Sequence, residues 1–119
     1  MSQFVFLYRG GARSESPDGS WTAASPAEMQ AVMQRWTTWL KDLAGKGFVK
    51  DPGQPLEPTG SVVSGKQKSV TDGPYAEKDL VGGYTLVEAK DLAQATELSM
   101  GCPIFDRGGA VEIRPVAKM

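Results

Sequence analysis

Residues 3–9 carry two apolar rows, Phe4, Phe6 and Tyr8 on one side and Val5 and Leu7 on the other. Alternation at period two predicts a strand, and apolar residues in both rows predict a strand covered on both faces. Residues 10–24 break this pattern with Ser14, Ser16, Pro17, Asp18, Gly19 and Ser20, all turn formers, and read as a loop. Trp21 is the exception within it. We read it first as a lid folded back on the core and second as a ligand contact. A long helix follows, with Ser25 as cap, Pro26 at the first helical position and Glu28 completing an S-x-x-E capping box. Met29, Val32, Met33, Trp36, Trp39, Leu40 and Leu43 recur at helical spacing, and core packing accounts for the whole stripe. Gly45 or Gly47 ends the helix.

The second half repeats the alternation of strand and helix. Phe48-Val49-Lys50-Asp51 reads as a short strand closed by Pro52-Gly53, and residues 54–58 as irregular. Residues 59–64 and 67–71 flank Gly65-Lys66 as a mostly polar hairpin, expected at an exposed edge. Asp72-Gly73-Pro74 signals a turn, and residues 75–81 an ordered loop or a short turn of helix. Gly82-Gly83 leads into a strand over residues 84–89. Asp91 then caps a helix with Gln94 at its third position and Leu92, Ala95 and Leu98 on the core side. Gly101-Cys102-Pro103 stops that helix, residues 104–109 form a loop, and residues 111–116 a last strand whose pairing ends at Pro115.

The order is therefore one βαβ-βαβ domain over residues 1–119, of class α+β, with an inserted β-hairpin. Two helices cover one face of its antiparallel sheet. The other face needs a cover too, and a second copy of the same sheet supplies it, giving a homodimeric α+β barrel.

Composition mainly removes possibilities. The chain has 119 residues, 40% hydrophobic and 23% charged, which suits a single globular domain. A formal net charge of −1 argues against direct nucleic-acid binding. With His 0, the Ser-His-Asp triad, the H-E-x-x-H zinc site and histidine-ligated haem are excluded. Cys 1 excludes an internal disulfide and multi-cysteine metal clusters. The N-terminal apolar run is interrupted by Arg9 and has no basic segment before it, so neither an export signal nor a membrane span is expected, and the cytoplasm is the expected location. No Gly-x-x-x-x-Gly-Lys-Ser/Thr phosphate loop is present, and Gly82-Gly83 and Gly108-Gly109 are read as close chain crossings or bulges. No cofactor or metal is implied.

Val70-Thr71-Asp72-Gly73-Pro74-Tyr75-Ala76-Glu77-Lys78-Asp79 resembles the signature of the DGPF subfamily of YCII-related proteins. The similarity continues through Gly82-Gly83-Tyr84, the helix end Leu98…Cys102-Pro103 and residues 108–116. Tyr75 stands where the subfamily usually has Phe, and the loop between Glu77 and Gly82 is about one residue shorter than its common form. The resemblance implies a ferredoxin-like protomer and a dimeric α+β barrel. The wider group is noted for a His-Asp pair proposed as catalytic, and those positions here correspond to Glu28 and Cys102. That dyad is absent, and its chemistry does not transfer. The resemblance further implies a link to extracytoplasmic-function sigma factors, and for some relatives to the breakdown of chlorinated aromatics.

Without histidine, proton transfer falls to Asp, Glu, Lys, Tyr or Cys. The densest set is Asp72, Tyr75, Glu77, Lys78 and Asp79. Asp72, Glu77 and Lys78 are the candidate catalytic groups, and Tyr75, Asp79, Trp21 and Arg9 the candidate ligand contacts. The plainer reading of the loop is turn chemistry at Asp-Gly-Pro with a surface pair at Lys78. Arg9, Arg107 and Arg114 are offered to an anionic ligand at a barrel mouth, against the plainer reading of solvated or paired arginines. Cys102, just past a helix C-terminus, is read as a buried small apolar residue, not a nucleophile. The expected site is a pocket between helices and sheet, or at the dimer seam, walled by the Phe4/Phe6/Tyr8 and Val5/Leu7 rows, with Asp72, Tyr75, Glu77 and Lys78 at its rim. Three functions compete: a small-molecule-binding or regulatory protein tied to sigma-factor-dependent transcription, a cofactor-independent lyase or isomerase acting on an aromatic or carbonyl compound, and a structural dimeric domain.

Overall fold

The computed structural model describes residues 1–10, 14–15, 21–22, 26–57, 59–73 and 80–118. Its elements run β1 (Ser2–Arg9), β2 (Ser14–Glu15), β3 (Trp21–Thr22), α1 (Pro26–Gly45), β4 (Val49–Asp51), β5 (Gly60–Ser64), β6 (Ser69–Gly73), β7 (Val81–Ala89), α2 (Leu92–Ser99), a 3-10 helix over Pro103–Arg107, and β8 (Ala110–Pro115). The main sheet has the order β4-β7-β1-β8, antiparallel throughout. Each helix links two strands that run parallel with a third strand between them, the split βαβ arrangement of the ferredoxin-like plan.

The alternation in β1 sorts as expected. Phe4, Phe6 and Tyr8 are buried while Val5, Leu7 and Arg9 are half-buried. In β7 the buried row is Gly83, Thr85, Val87 and Ala89. Register sets Phe4 opposite Val87 and Phe6 opposite Thr85, so both buried rows share the face that meets the helices. Trp39 and Leu43 of α1, Ala95 of α2, Cys102 and Ile104 complete the core. Trp36 and Trp39 sit edge-on to one another at 5.9 Å, and Tyr8 meets Trp36 edge-on at 4.8 Å. The opposite face presents Val5, Leu7, Tyr84 and Leu86, half-buried in the single chain, beside the Arg9–Glu112 ion pair.

Both helices end as their residues dictate. α1 closes in a Schellman motif: Phe48 N–H bonds Leu43 C=O at 3.0 Å and Gly47 N–H bonds Ala44 C=O at 3.0 Å, with Gly47 at φ 83°. At α2 the Asp91 carboxylate accepts from Gln94 N–H at 2.9 Å, and the Gln94 side chain accepts from Lys90 N–H at 2.7 Å. The Ser25 cap lies outside the described residues.

Several expectations are corrected. Residues 14–15 and 21–22, read as loop, form a two-residue antiparallel ladder. The hairpin turn is four residues, not two. Lys68 takes a left-handed φ of 55° and donates to Gly65 C=O at 3.1 Å, so pairing begins at Ser64 and Ser69. Asp72 and Gly73, read as a turn, continue β6 opposite Ser61 and Gly60, because ladder bonds with β5 satisfy their backbone. β7 starts at Val81, earlier than residue 84. Leu92 is exposed, since the short helix buries the face centred on Ala95 and Ser99 and its first turn overhangs the core. Residues 103–107, read as loop, form the 3-10 helix. Pairing also runs one bond past Pro115, with Val116 N–H on Gln3 C=O at 2.9 Å.

Candidate functional site

The helical stripe of α1 divides between two environments. Trp39 and Leu43 enter the core, whereas Val32, Met33, Trp36 and Leu40 wall a cleft of about 510 Å³. Sequence reasoning gave the whole stripe to packing. The two sets are neighbouring i, i+4 rows of the helix: Val32, Trp36 and Leu40 on the cleft side, Trp39 and Leu43 on the core side. Met33 is 65% exposed and Val32 half-buried.

The opposite wall is residues 52–55, read from sequence as the Pro52-Gly53 close of a strand followed by irregular chain. This arm is clamped to β7: Pro55 bridges Gly83, and Leu56 N–H bonds Gly82 C=O at 2.8 Å. Gly83 makes the approach feasible, since a Cβ there would meet Gln54 C=O at 3.2 Å. Gly53 is more tightly constrained, with φ 74° and a Cβ position only 1.7 Å from the Tyr84 carbonyl oxygen. The Asp51 carboxylate secures this turn by accepting from Gly53 N–H at 2.8 Å.

The floor carries the polar chemistry. Tyr8 Oη and Thr85 Oγ1 lie 2.7 Å apart, and Thr85 donates to Pro52 C=O at 2.9 Å. Tyr8, Thr85 and Pro52 all line the cleft. Burial pushes the Tyr8 phenol well above its ordinary pKa, so it stays protonated across the physiological range. No charged side chain lines the cleft among the described residues. The cleft is suited to holding an uncharged, partly aromatic molecule, with few polar contacts to orient it.

The predicted site residues distribute unevenly. Of the Phe4/Phe6/Tyr8 row only Tyr8 reaches the cleft; Phe4 and Phe6 are core, and Val5 and Leu7 belong to the other sheet face. Arg9 also points to that face, where its Nε donates to Glu112 Oε1 at 2.7 Å, and it is not among the cleft residues. Arg114 lies 3.9 Å from the other oxygen of Glu112 and is exposed. Tyr75, Glu77, Lys78 and Asp79, and the side chains of Asp72, Trp21 and Arg107, lie outside what is described. The near end of their loop is placed, however. Gly10, which lines the cleft, donates its N–H to Leu80 C=O at 3.4 Å, so Leu80 stands beside a cleft residue. Cys102 is buried, and desolvation first, with Asp106 adding to it, pushes its thiol up to about 12.

The sheet order, the two helices on one face and the cleft between α1 and β7 define a ferredoxin-like α+β protein. Within that class the chain belongs to the YCII-related domain family, which matches residues 15–119. No curated protein matches it. At the two positions where the resemblance sets the wider group's dyad, Glu28 is exposed in the first turn of α1 and Cys102 is buried at the end of α2. Among the described residues no helix is long and apolar enough to cross a membrane.

Proposed function

We propose that this protein, a YCII-related chain of the DGPF type, binds a small uncharged molecule in the α1–β7 cleft and acts as a binding or regulatory module, in line with the sigma-factor association its resemblance implies. The observation that carries the reading is the cleft itself. About 510 Å³ falls within the range of small-molecule sites, and its walls are apolar over a floor with two hydroxyls. Substitution of Val32 by Trp fills the cleft from the helix side. A ligand-observed NMR screen of small aromatic compounds should give hits that this variant loses; hits unaffected by it would place binding elsewhere and defeat the reading. In the cell the expected location is the cytoplasm, and a sigma-factor gene beside the coding gene would favour regulation over catabolism.

A second reading, a cofactor-independent lyase or isomerase with Asp72, Glu77 and Lys78 as its catalytic groups, is favoured by the Gly10–Leu80 hydrogen bond, which sets Leu80, the residue after the segment bearing Glu77 and Lys78, beside a cleft residue. Asp72→Asn tests it. Lost turnover at unchanged melting temperature supports catalysis, and a lowered melting temperature alone supports a structural role in β6.

The working unit of either reading is a homodimer closed through Val5, Leu7, Tyr84 and Leu86 on the helix-free sheet face. Light scattering should give twice the chain mass at low micromolar concentration, and Leu7→Lys should shift it to monomer. A monomeric parent protein would refute this.

A further inference from the structure

We infer that the cleft floor accepts hydrogen bonds and does not donate them, so that its ligand is an aromatic compound carrying an O–H or N–H group. This rests on the cleft being a small-molecule site. The two floor hydroxyls, Tyr8 and Thr85, have one proton each to place. A carbonyl oxygen can only accept, so the 2.9 Å contact between Thr85 Oγ1 and Pro52 C=O uses the single proton of the Thr85 hydroxyl. The 2.7 Å contact between Tyr8 and Thr85 must then use the Tyr8 proton, with Thr85 Oγ1 accepting. The Pro52 carbonyl at the end of the chain thus sets the direction of both bonds. Both protons point away from a ligand, and the Tyr8 oxygen keeps lone pairs for a donor.

The polarity belongs to the floor: on the wall the Trp36 indole N–H can donate, but it lies outside the Tyr8–Thr85–Pro52 chain. Thr37 and Gln54 are exposed at the rim and can turn to donate or accept, and Tyr84 is half-buried; Tyr8 and Thr85 are the buried side-chain hydroxyls among the described lining residues. The edge-on pair of Tyr8 and Trp36, 4.8 Å between centroids, supplies an aromatic wall beside that oxygen. A ketone or ether of the same shape brings no proton to Tyr8. Hydrophobic partition alone would favour the ether over the phenol, so a preference for the phenol is diagnostic.

Three matched probes test the inference: 4-ethylphenol, 4-ethylanisole and 4-methylacetophenone, titrated while the Trp36 indole N–H signal is followed by NMR. The native protein should bind 4-ethylphenol about tenfold more tightly than the other two, the worth of one good neutral hydrogen bond. Tyr8→Phe should reduce that preference to within about twofold while leaving 4-ethylanisole unchanged. Thr85→Val frees the Tyr8 proton to point into the cleft, and 4-methylacetophenone should then gain about tenfold. Equal binding of all three probes to the native protein, or a Tyr8→Phe variant that keeps the full preference, overturns the polarity while leaving the cleft as a site. Failure of all three to bind removes the site and the inference together.

Discussion

Gly53 and Gly47 form a matched pair whose replacement by alanine separates backbone strain from steric collision. Both hold left-handed conformations, φ 74° and 83° respectively. Around Gly47 nothing lies within 4 Å of an added Cβ, so Gly47→Ala costs only the left-handed conformation, about 1 kcal/mol. At Gly53 the Cβ would lie 1.7 Å from the Tyr84 carbonyl oxygen, a backbone atom of the sheet that cannot yield. The arm over residues 52–55 must therefore lift. Lifting it breaks the Leu56–Gly82 bond at 2.8 Å, the Thr85–Pro52 bond at 2.9 Å and the Gly53–Asp51 bond at 2.8 Å. At about 1 kcal/mol each the loss approaches 3 kcal/mol, and detachment of the arm caps it there because the collision is then relieved. Guanidinium unfolding should give about 3 kcal/mol for Gly53→Ala against about 1 kcal/mol for Gly47→Ala. For a chain of this length that difference is roughly 8 °C in Tm. Gly53→Ala should also abolish binding of 4-ethylphenol, since the arm is a wall of the cleft, while Gly47→Ala leaves it intact. Equal destabilisation by the two variants, or undiminished binding by Gly53→Ala, would refute the reasoning.

Cys102 should react with a thiol reagent at pH 8 more than about a hundredfold slower in the native protein than in the unfolded chain, because burial both shields the thiol and keeps it protonated; native and unfolded rates within tenfold would contradict its placement. The Tyr8 phenol is raised in the fold, so the native state holds its proton more tightly than the unfolded state does. Its stabilisation is fully present below the ordinary tyrosine pKa of about 10 and is lost as pH climbs beyond it. Urea unfolding from pH 9 to 11 should show a steeper decline for the native protein than for Tyr8→Phe, and parallel declines would remove Tyr8 as the cause. Phe6→Ala, at a fully buried position facing Thr85, should cost about 3–5 kcal/mol, and a loss under 1 kcal/mol would show that this row is not the core.

The two-row alternation of Phe4–Tyr8, the stripe and glycine stop of α1, and the Asp91–Gln94 cap are local facts, since strand period, helix period and capping act over one to four residues. From them the order of elements and the α+β class follow, and the sequence alone determined both. What it left open depends on contacts between residues far apart in the chain. Nothing local distinguishes Trp36 from Trp39, three residues on. One walls the cleft and the other enters the core because the sheet beneath them carries Tyr8 and Thr85 at one end and Phe6 and Val87 further along. Residues 52–55 carry turn signals only, and become a wall because Gly83, nearly thirty residues later, has no side chain to hold them off. The direction of the floor hydrogen bonds likewise requires Tyr8, Pro52 and Thr85 to meet, and only tertiary structure brings the distant Tyr8 and Pro52 each within 3 Å of the Thr85 hydroxyl.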